Sequence, residues 1–229
     1  VLGANGFIGA NLVHYLKRLG RNDVYAVVSH EIGWRLRDYP VERVLFSDLL
    51  VTSNLNQVFS KVAPKLVLDC AAHGAYAFQT EVDLIYQTNF ERIVKTGELL
   101  ESSYPDCVYI HSGSSSEYGD HANGPTEDKG LTPNSHYSVS KTAASQLIHY
   151  LGKKKNLKIA NLRLFSVYGP LEDSSRLMPN LVMKAKEGAF PPFVNPEVSR
   201  DFIYIDDVCE AYVDTALKMN PSIYGESFN

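Results

Sequence analysis

The chain has 229 residues, 45% hydrophobic and 21% charged, an ordinary globular composition with enough apolar surface for a sizeable core. Its formal net charge is -4 and no basic stripe runs along it, so no nucleic-acid partner is expected. No apolar stretch approaches the roughly 18 residues that span a bilayer. Three cysteines, none in a C-x-x-C pair, fit buried thiols of a cytoplasmic protein with no membrane partner.

Residues 1–2 read as the tail of a strand. Ile8, Leu12, Leu16 and Leu19 then recur at helical spacing until Gly20. Residues 24–28 and 44–46 read as strands, and Leu55, Val58, Phe59 and Val62 form a helix face that Pro64 ends. Residues 66–72 make an apolar run of the kind buried on both faces of a sheet, 85–100 a helix, and 107–110 another buried strand. After a loop rich in Gly and Pro, the spacing predicts a helix over 137–152. Lys153-Lys154-Lys155 reads as its positively charged end against the helix dipole, in preference to a binding patch. Residues 159–165 are a further strand. This alternation predicts an α/β fold with a parallel sheet covered on both faces.

Gly3-Ala4-Asn5-Gly6-Phe7-Ile8-Gly9 lies between the first strand and the first helix. The first glycine permits a tight turn, the second a close approach to a diphosphate, and the third close helix–sheet packing, with helix amides aimed at the anion. The context predicts a Rossmann-type doubly wound sheet, with Gly3, Asn5, Gly6, Phe7, Ile8 and Gly9 around a dinucleotide. After the second strand, Ser29-His30-Glu31 lacks the acid in the usual place for an NAD ribose. Arg35 and Arg37 follow, so NADP is slightly favoured over NAD, and solvent-facing charges are the alternative. Asp48, with Leu49, is placed to contact the adenine or to cap a helix. The alternation breaks after Tyr168. A dinucleotide-binding domain is therefore expected over 1–165, and a partial, smaller substrate-binding lobe with returning segments over 166–229. The chain reads as truncated at both ends.

Tyr137 and Lys141 stand one helical turn apart on one face. An ammonium near a phenol favours the phenolate, so the tyrosine can exchange a proton with a substrate hydroxyl as hydride moves. A surface pair is the alternative. The serine-rich turn from Ser112 to Gly119 falls where parallel sheets bind ligands.

Together these features resemble the extended short-chain dehydrogenase/reductase family, in its nucleotide-sugar epimerase/dehydratase branch. The resemblance covers essentially the whole chain: the glycine loop, Asp48, Ala71-Ala72, Asn89, residues 112–119, Tyr137 and Lys141, residues 163–170 (RLFSVYGP) and residues 200–207 (RDFIYIDD). It implies that Ser114 is the catalytic hydroxyl, Tyr137 the acid/base, and Lys141 its activator and a ribose ligand. It also implies cofactor contacts at Ala71, Ala72, Asn89 and Ser112, and a diphosphate contact at Arg200, whose planar fork suits phosphate oxygens. Where 4,6-dehydratases carry an Asp-Glu pair, this chain has Ser115 and Ser116, which cannot eliminate water. These serines are expected to face substrate, with Ser166 in place of a common Asn. The implied activity is an NAD(P)-dependent nucleotide-diphospho-sugar epimerase or 4-ketoreductase acting at ring carbon C4, in a homodimer. The alternatives are a reductase of a non-sugar carbonyl and a non-catalytic dinucleotide-binding protein.

Overall fold

A computed structural model of the chain describes residues 1–189 and 199–229. Leu2 occupies the middle of its sheet, forming parallel bridges to Val27 on one side and Asp69 on the other. The Val27 side carries the parallel pair β1 (Ala26–Val28) and β2 (Val44–Phe46). The Asp69 side carries β3 (Leu66–Asp69), β4 (Val108–Ser114), β5 (Ile159–Leu164) and β8 (Ser227–Phe228), also parallel and in that order. The strand order therefore reverses at Leu2, where the glycine loop leaves the sheet, and such a switch point opens a crevice beyond the carboxyl ends of the strands.

Helices cover both faces. On one face α2 (Thr52–Val62), α4 (Arg92–Ser103) and α5 (His136–Lys155) bring Leu55, Phe59, Ile93, Leu100, Ala144 and Ile148 against Tyr109 and Ile159. On the other, α1 (Phe7–Arg18) and α7 (Ile205–Leu217) bring Leu12, Val208, Cys209 and Tyr212 against Leu68, Ile110 and Leu162. All three residues of β1, and the five central residues of β4, are buried. Burial on both faces explains why these strands read as apolar runs without alternation.

Several boundaries differ from the predicted ones. The run over 66–72 stops being strand at Asp69, because Ala71 N–H turns back to the Asp69 carboxylate. The helix predicted over 85–100 is three pieces: α3 (Val82–Tyr86), a π turn over Gln87–Glu91, and α4. The widened turn lets the Asn89 amide leave the helix and hold both N–H and C=O of His73, and such insertions gather at functional sites. α5 runs through Lys153, Lys154 and Lys155 and stops at the left-handed Asn156, so the lysine run is the end of a helix.

Beyond β5, β6 (Ser166–Tyr168) and β7 (Phe202–Tyr204) form a separate parallel pair, and α6 (Leu177–Lys186) lies between them in sequence. α7 and β8 then return to the main sheet.

Candidate active site

The glycine loop is a steric cradle. Gly3 has φ +69, and a Cβ there would lie 2.6 Å from the Ala71 amide nitrogen; a Cβ at Gly9 would lie 2.5 Å from the Gly3 carbonyl oxygen. Both glycines are thus required by close backbone packing at the switch point. Gly6 is exposed and caps α1 without any side-chain hydrogen bond, and α1 has no acid in its first turn. These free amides suit a diphosphate. Phe7 and Ile8 are half-buried and pack into the core under α1.

The side chain of Asn5 is taken up by the protein: it donates to Glu31 O (2.7 Å) and accepts from Gly33 N (2.9 Å), which fixes the segment after β1. Ser29 and His30 are exposed at the end of β1, and Asp48 and half-buried Leu49 follow β2. Asp48 accepts from Leu50 N at 3.0 Å, while Val51 is the N-cap of α2, so Asp48 shapes a turn and does not cap the helix. Ala71 is half-buried and Ala72 exposed just past β3. Arg35, one basis for the NADP expectation, sends Nε to Leu171 O (2.7 Å) and Nη1 to Asn5 O (3.4 Å) and stacks on Trp34.

Ser114 ends β4, and a turn over Ser115–His121 starts there. Its Oγ accepts from Ser116 N (3.2 Å) and meets Ser116 Oγ at 2.6 Å. Tyr137 sits in the first turn of α5, which Ser135 and Ser138 fix as a reciprocal cap. Gly74 leaves room beside it, since a Cβ there would lie 3.3 Å from the Tyr137 ring and 2.8 Å from Ile85. Burial raises the Tyr137 phenol above its ordinary value, opposed by the Ser114 hydroxyl. Lys141 is buried, its Nζ donating to Ser112 O (2.9 Å) and standing 6.0 Å from the Tyr137 ring centroid. Burial lowers its ammonium to about 8, against the pull of Asp69. The expected lowering of the phenol by Lys141 is therefore not the balance in this structure, because desolvation dominates and the ammonium is turned to the Ser112 carbonyl.

Ser112 and Asn89 are deeply placed. The Ser112 hydroxyl donates to Asp69 O and meets the Tyr212 hydroxyl; Asn89 holds His73 and Ser140 Oγ (3.0 Å) with no exposed surface. Both support the strand ends from beneath. Ser115 and Ser116 lie half-buried beside Ser114, Ser166 opens β6, and Arg200 is exposed just before β7. A cavity of about 240 Å³ lies where β5 meets the β7 segment, lined by Leu164, Phe165, Asp201 and Ile203 among others.

Two buried ion pairs escaped the sequence reading. Asp69 pairs with Arg92 (2.7 Å), both side chains inaccessible, and accepts from Tyr109; His111 lies 3.9 Å away. Glu117 pairs with Arg163 (2.8 Å) beneath Ser114. Asp69 and Arg163 each stand as a single charge inside an apolar run, and their partners lie in other elements. Among the described residues no cluster of His, Cys, Asp or Glu could hold a metal ion, and no helix is long and apolar enough to cross a membrane. Cys107 and Cys209 are buried and Cys70 half-buried, with burial raising all three thiols.

A doubly wound parallel sheet, a glycine cradle at its switch point, Ser114 at a strand end and Tyr137 and Lys141 on the adjoining helix define a Rossmann-type fold of the short-chain dehydrogenase/reductase kind. The chain belongs to the NAD dependent epimerase/dehydratase family, whose sequence model matches residues 1–229. It is 29% identical to UDP-glucuronate 4-epimerase 3 of Arabidopsis thaliana, over 97% of this chain and 56% of that protein. It is 30% identical to the uncharacterized UDP-glucose epimerase YtcB of Bacillus subtilis, over 100% of this chain and 75% of that one. Among solved structures, UDP-glucuronic acid 4-epimerase from Bacillus cereus, in complex with UDP-glucuronic acid and NAD, superposes with a TM-score of 0.79. That match has 27% identity and covers 99% of this chain and 74% of that one. The chain thus spans little more than half the length of the Arabidopsis relative.

Proposed function

We propose that the chain is the dinucleotide-binding and catalytic portion of an NAD-dependent nucleotide-diphospho-sugar 4-epimerase. The observation that carries this reading is the convergence of Ser114, Tyr137 and Lys141 at the carboxyl edge of the sheet, beside the cradle of Gly3, Gly6 and Gly9. The cradle fits a dinucleotide: a Cβ at Gly3 or Gly9 would collide with backbone, and the first amides of α1 have no side-chain partner. Asp48, Leu49, Ala71 and Ala72 flank the same crevice, and Lys141 would meet the ribose. NAD, when bound, supplies the hydride acceptor and a positive ring charge that favours the phenolate. NAD is preferred here over NADP. Arg35 is committed to Leu171 and Asn5, and the Bacillus cereus relative is described with NAD.

Tyr137 Oη takes the proton of the C4 hydroxyl and later returns one, while Ser114 Oγ donates to the same substrate oxygen and holds it in line. Ser115 and Ser116 bear no ionisable carboxyl, so water elimination has no general acid or base at those positions. Ser166 and Arg200 line the substrate side, with Arg200 toward the diphosphate. A homodimer belongs to the same reading, and sedimentation velocity tests it.

The test uses the full-length protein: the dinucleotide released on denaturation is identified by mass spectrometry, and UDP-glucuronic acid and UDP-glucose are offered as substrates. Retained NAD, with C4-epimerised product lost in Y137F, supports the reading. Empty protein that binds NADPH and reduces a 4-keto sugar replaces it with a reductase, and failure to bind any dinucleotide overturns it.

A further inference from the structure

Beneath Ser114 lies a carboxylate for which the proposed proton transfer has no use. Glu117 is inaccessible to solvent, and Arg163, its partner, is 94% covered at the side chain. A buried ion pair is a poor source of stability, because desolvation offsets most of its attraction. Its geometry, however, is specific. Glu117 Oε1 accepts the backbone N–H of Ser114 at 3.0 Å, and Oε2 accepts Arg163 Nε at 2.8 Å. Arg163 stands opposite Gly113 in the β4–β5 register, and its Nη1 donates to the Tyr118 hydroxyl (2.8 Å), over whose ring the guanidinium lies. That hydroxyl in turn donates to Asn229 Oδ1 at 2.7 Å. The backbone has been cleared for this arrangement, since a Cβ at Gly113 would lie 2.7 Å from Glu117 Oε1 and 2.5 Å from Asn161 Oδ1.

We infer that Glu117, braced by Arg163, is the positioning residue for the Ser114 hydroxyl, clamping the amide of Ser114 so that its side chain is held at Tyr137. The inference rests on the proposed role of Ser114, but the clamp itself is a property of this chain. Two kinds of restraint meet at one residue. The carboxylate fixes the Ser114 N–H, and the amide of Ser116 fixes its Oγ. A hydroxyl held this way enters the reaction with its direction already set, which is where positioning contributes to rate. Glu117 also carries charge into the site: its carboxylate opposes ionisation of Tyr137 and favours the charged form of Lys141. Arg163 bounds that influence by holding the counter-charge next to it.

The experiment follows two signals in the full-length protein, neither of which needs turnover. The first is protection of the Ser114 amide in hydrogen exchange. The second is titration of the Tyr137 ring, read by NMR with ¹³Cζ-tyrosine and assigned by its loss in Y137F. E117A is expected to lose the amide protection selectively, while E117Q, which keeps an acceptor, retains it. Removing the carboxylate charge in E117Q moves the Tyr137 titration to lower pH, and E117Q/R163Q, which removes both charges, brings it back toward the parent. Unchanged protection in E117A, or a Tyr137 titration in E117Q that stays in place or moves up, overturns the inference. If E117A does not fold, the titrations of E117Q and the double variant decide. NAD binding is measured alongside by calorimetry. Loss of NAD binding in the parent protein counts against the epimerase reading and leaves both signals intact.

Discussion

Replacing Arg92 with Met breaks a fully buried ion pair. The guanidinium sits 2.7 Å from Asp69 with 1% and 0% of the two side chains exposed, and it also donates to Ala71 O and Thr88 O, both at 3.1 Å. Met fills similar volume, so the dominant loss is electrostatic: Asp69 keeps Tyr109 and the Ala71 amide and loses its counter-ion. Breaking one side of a buried pair costs about 3–5 kcal/mol. At roughly 2–4 °C per kcal/mol for a chain of this size, the midpoint should fall by about 6–20 °C. Burial alone would push the Asp69 carboxyl up, yet Arg92 and His111 hold it well below its ordinary value. A group depressed in this way contributes stability above the unfolded value, about 3.9, and loses it as pH falls lower. In R92M burial is opposed only by His111, Tyr109 and the Ala71 amide, the Asp69 carboxyl rises, and the deficit should shrink as pH falls from neutrality toward 4. Thermal and urea unfolding followed by far-UV circular dichroism at several pH values measure both effects. D69N/R92M should recover much of the loss. An R92M variant within about 1 kcal/mol of the parent at pH 7, inside the range of ordinary substitutions, would refute this account of the pair.

Gly9→Ala should abolish dinucleotide binding by calorimetry, since the added methyl would lie 2.5 Å from a carbonyl oxygen that cannot move without reshaping the cradle. Tyr137→Phe should lower kcat on a UDP-sugar by about 10²–10⁴-fold with NAD binding kept, the range for loss of a general acid/base. Burial lowers His111 to about 4. The unfolded chain therefore binds a proton that the folded chain refuses, and stability should fall as pH drops from about 6.5 to 4. H111Q should flatten urea midpoints in that window. Lys141→Met removes a group titrating near 8, so any limb of the pH–rate profile belonging to that ammonium should vanish with it.

The doubly wound sheet was legible because its strands are buried on both faces and its helices show a 3.6-residue apolar period, as at Leu55, Val58, Phe59 and Val62. The glycine loop was legible because close backbone packing leaves a mark in residue type. What the sequence could not convey is direction. Asn5, Ser112 and Asn89 occupy the expected neighbourhood, yet their side chains bind Glu31 and Gly33, Asp69 and Tyr212, and His73 and Ser140. Whether Arg35 faces a phosphate or Leu171 depends on a contact 136 residues away. Glu117 and Arg163 meet across 46 residues, a pairing that no local pattern encodes. β6 leaves the main sheet after β5, while α7 and β8 return to it, a path that the apolar periodicity alone does not specify.

The central position of Leu2 bears on the order of assembly. Its two neighbours, Val27 and Asp69, come from opposite halves of the sheet, and the turn at Gly3 takes its shape against Ala71. The first pairing closes a short loop and the second a longer one, and the entropy of closure grows slowly with loop length. A nascent chain can therefore pair Leu2 with β1 early, but the glycine turn has no far wall until the segment around Ala71 has been made and docked. The proposed cofactor site is in this sense a late product of the fold, although its glycine loop precedes β1 and every later strand.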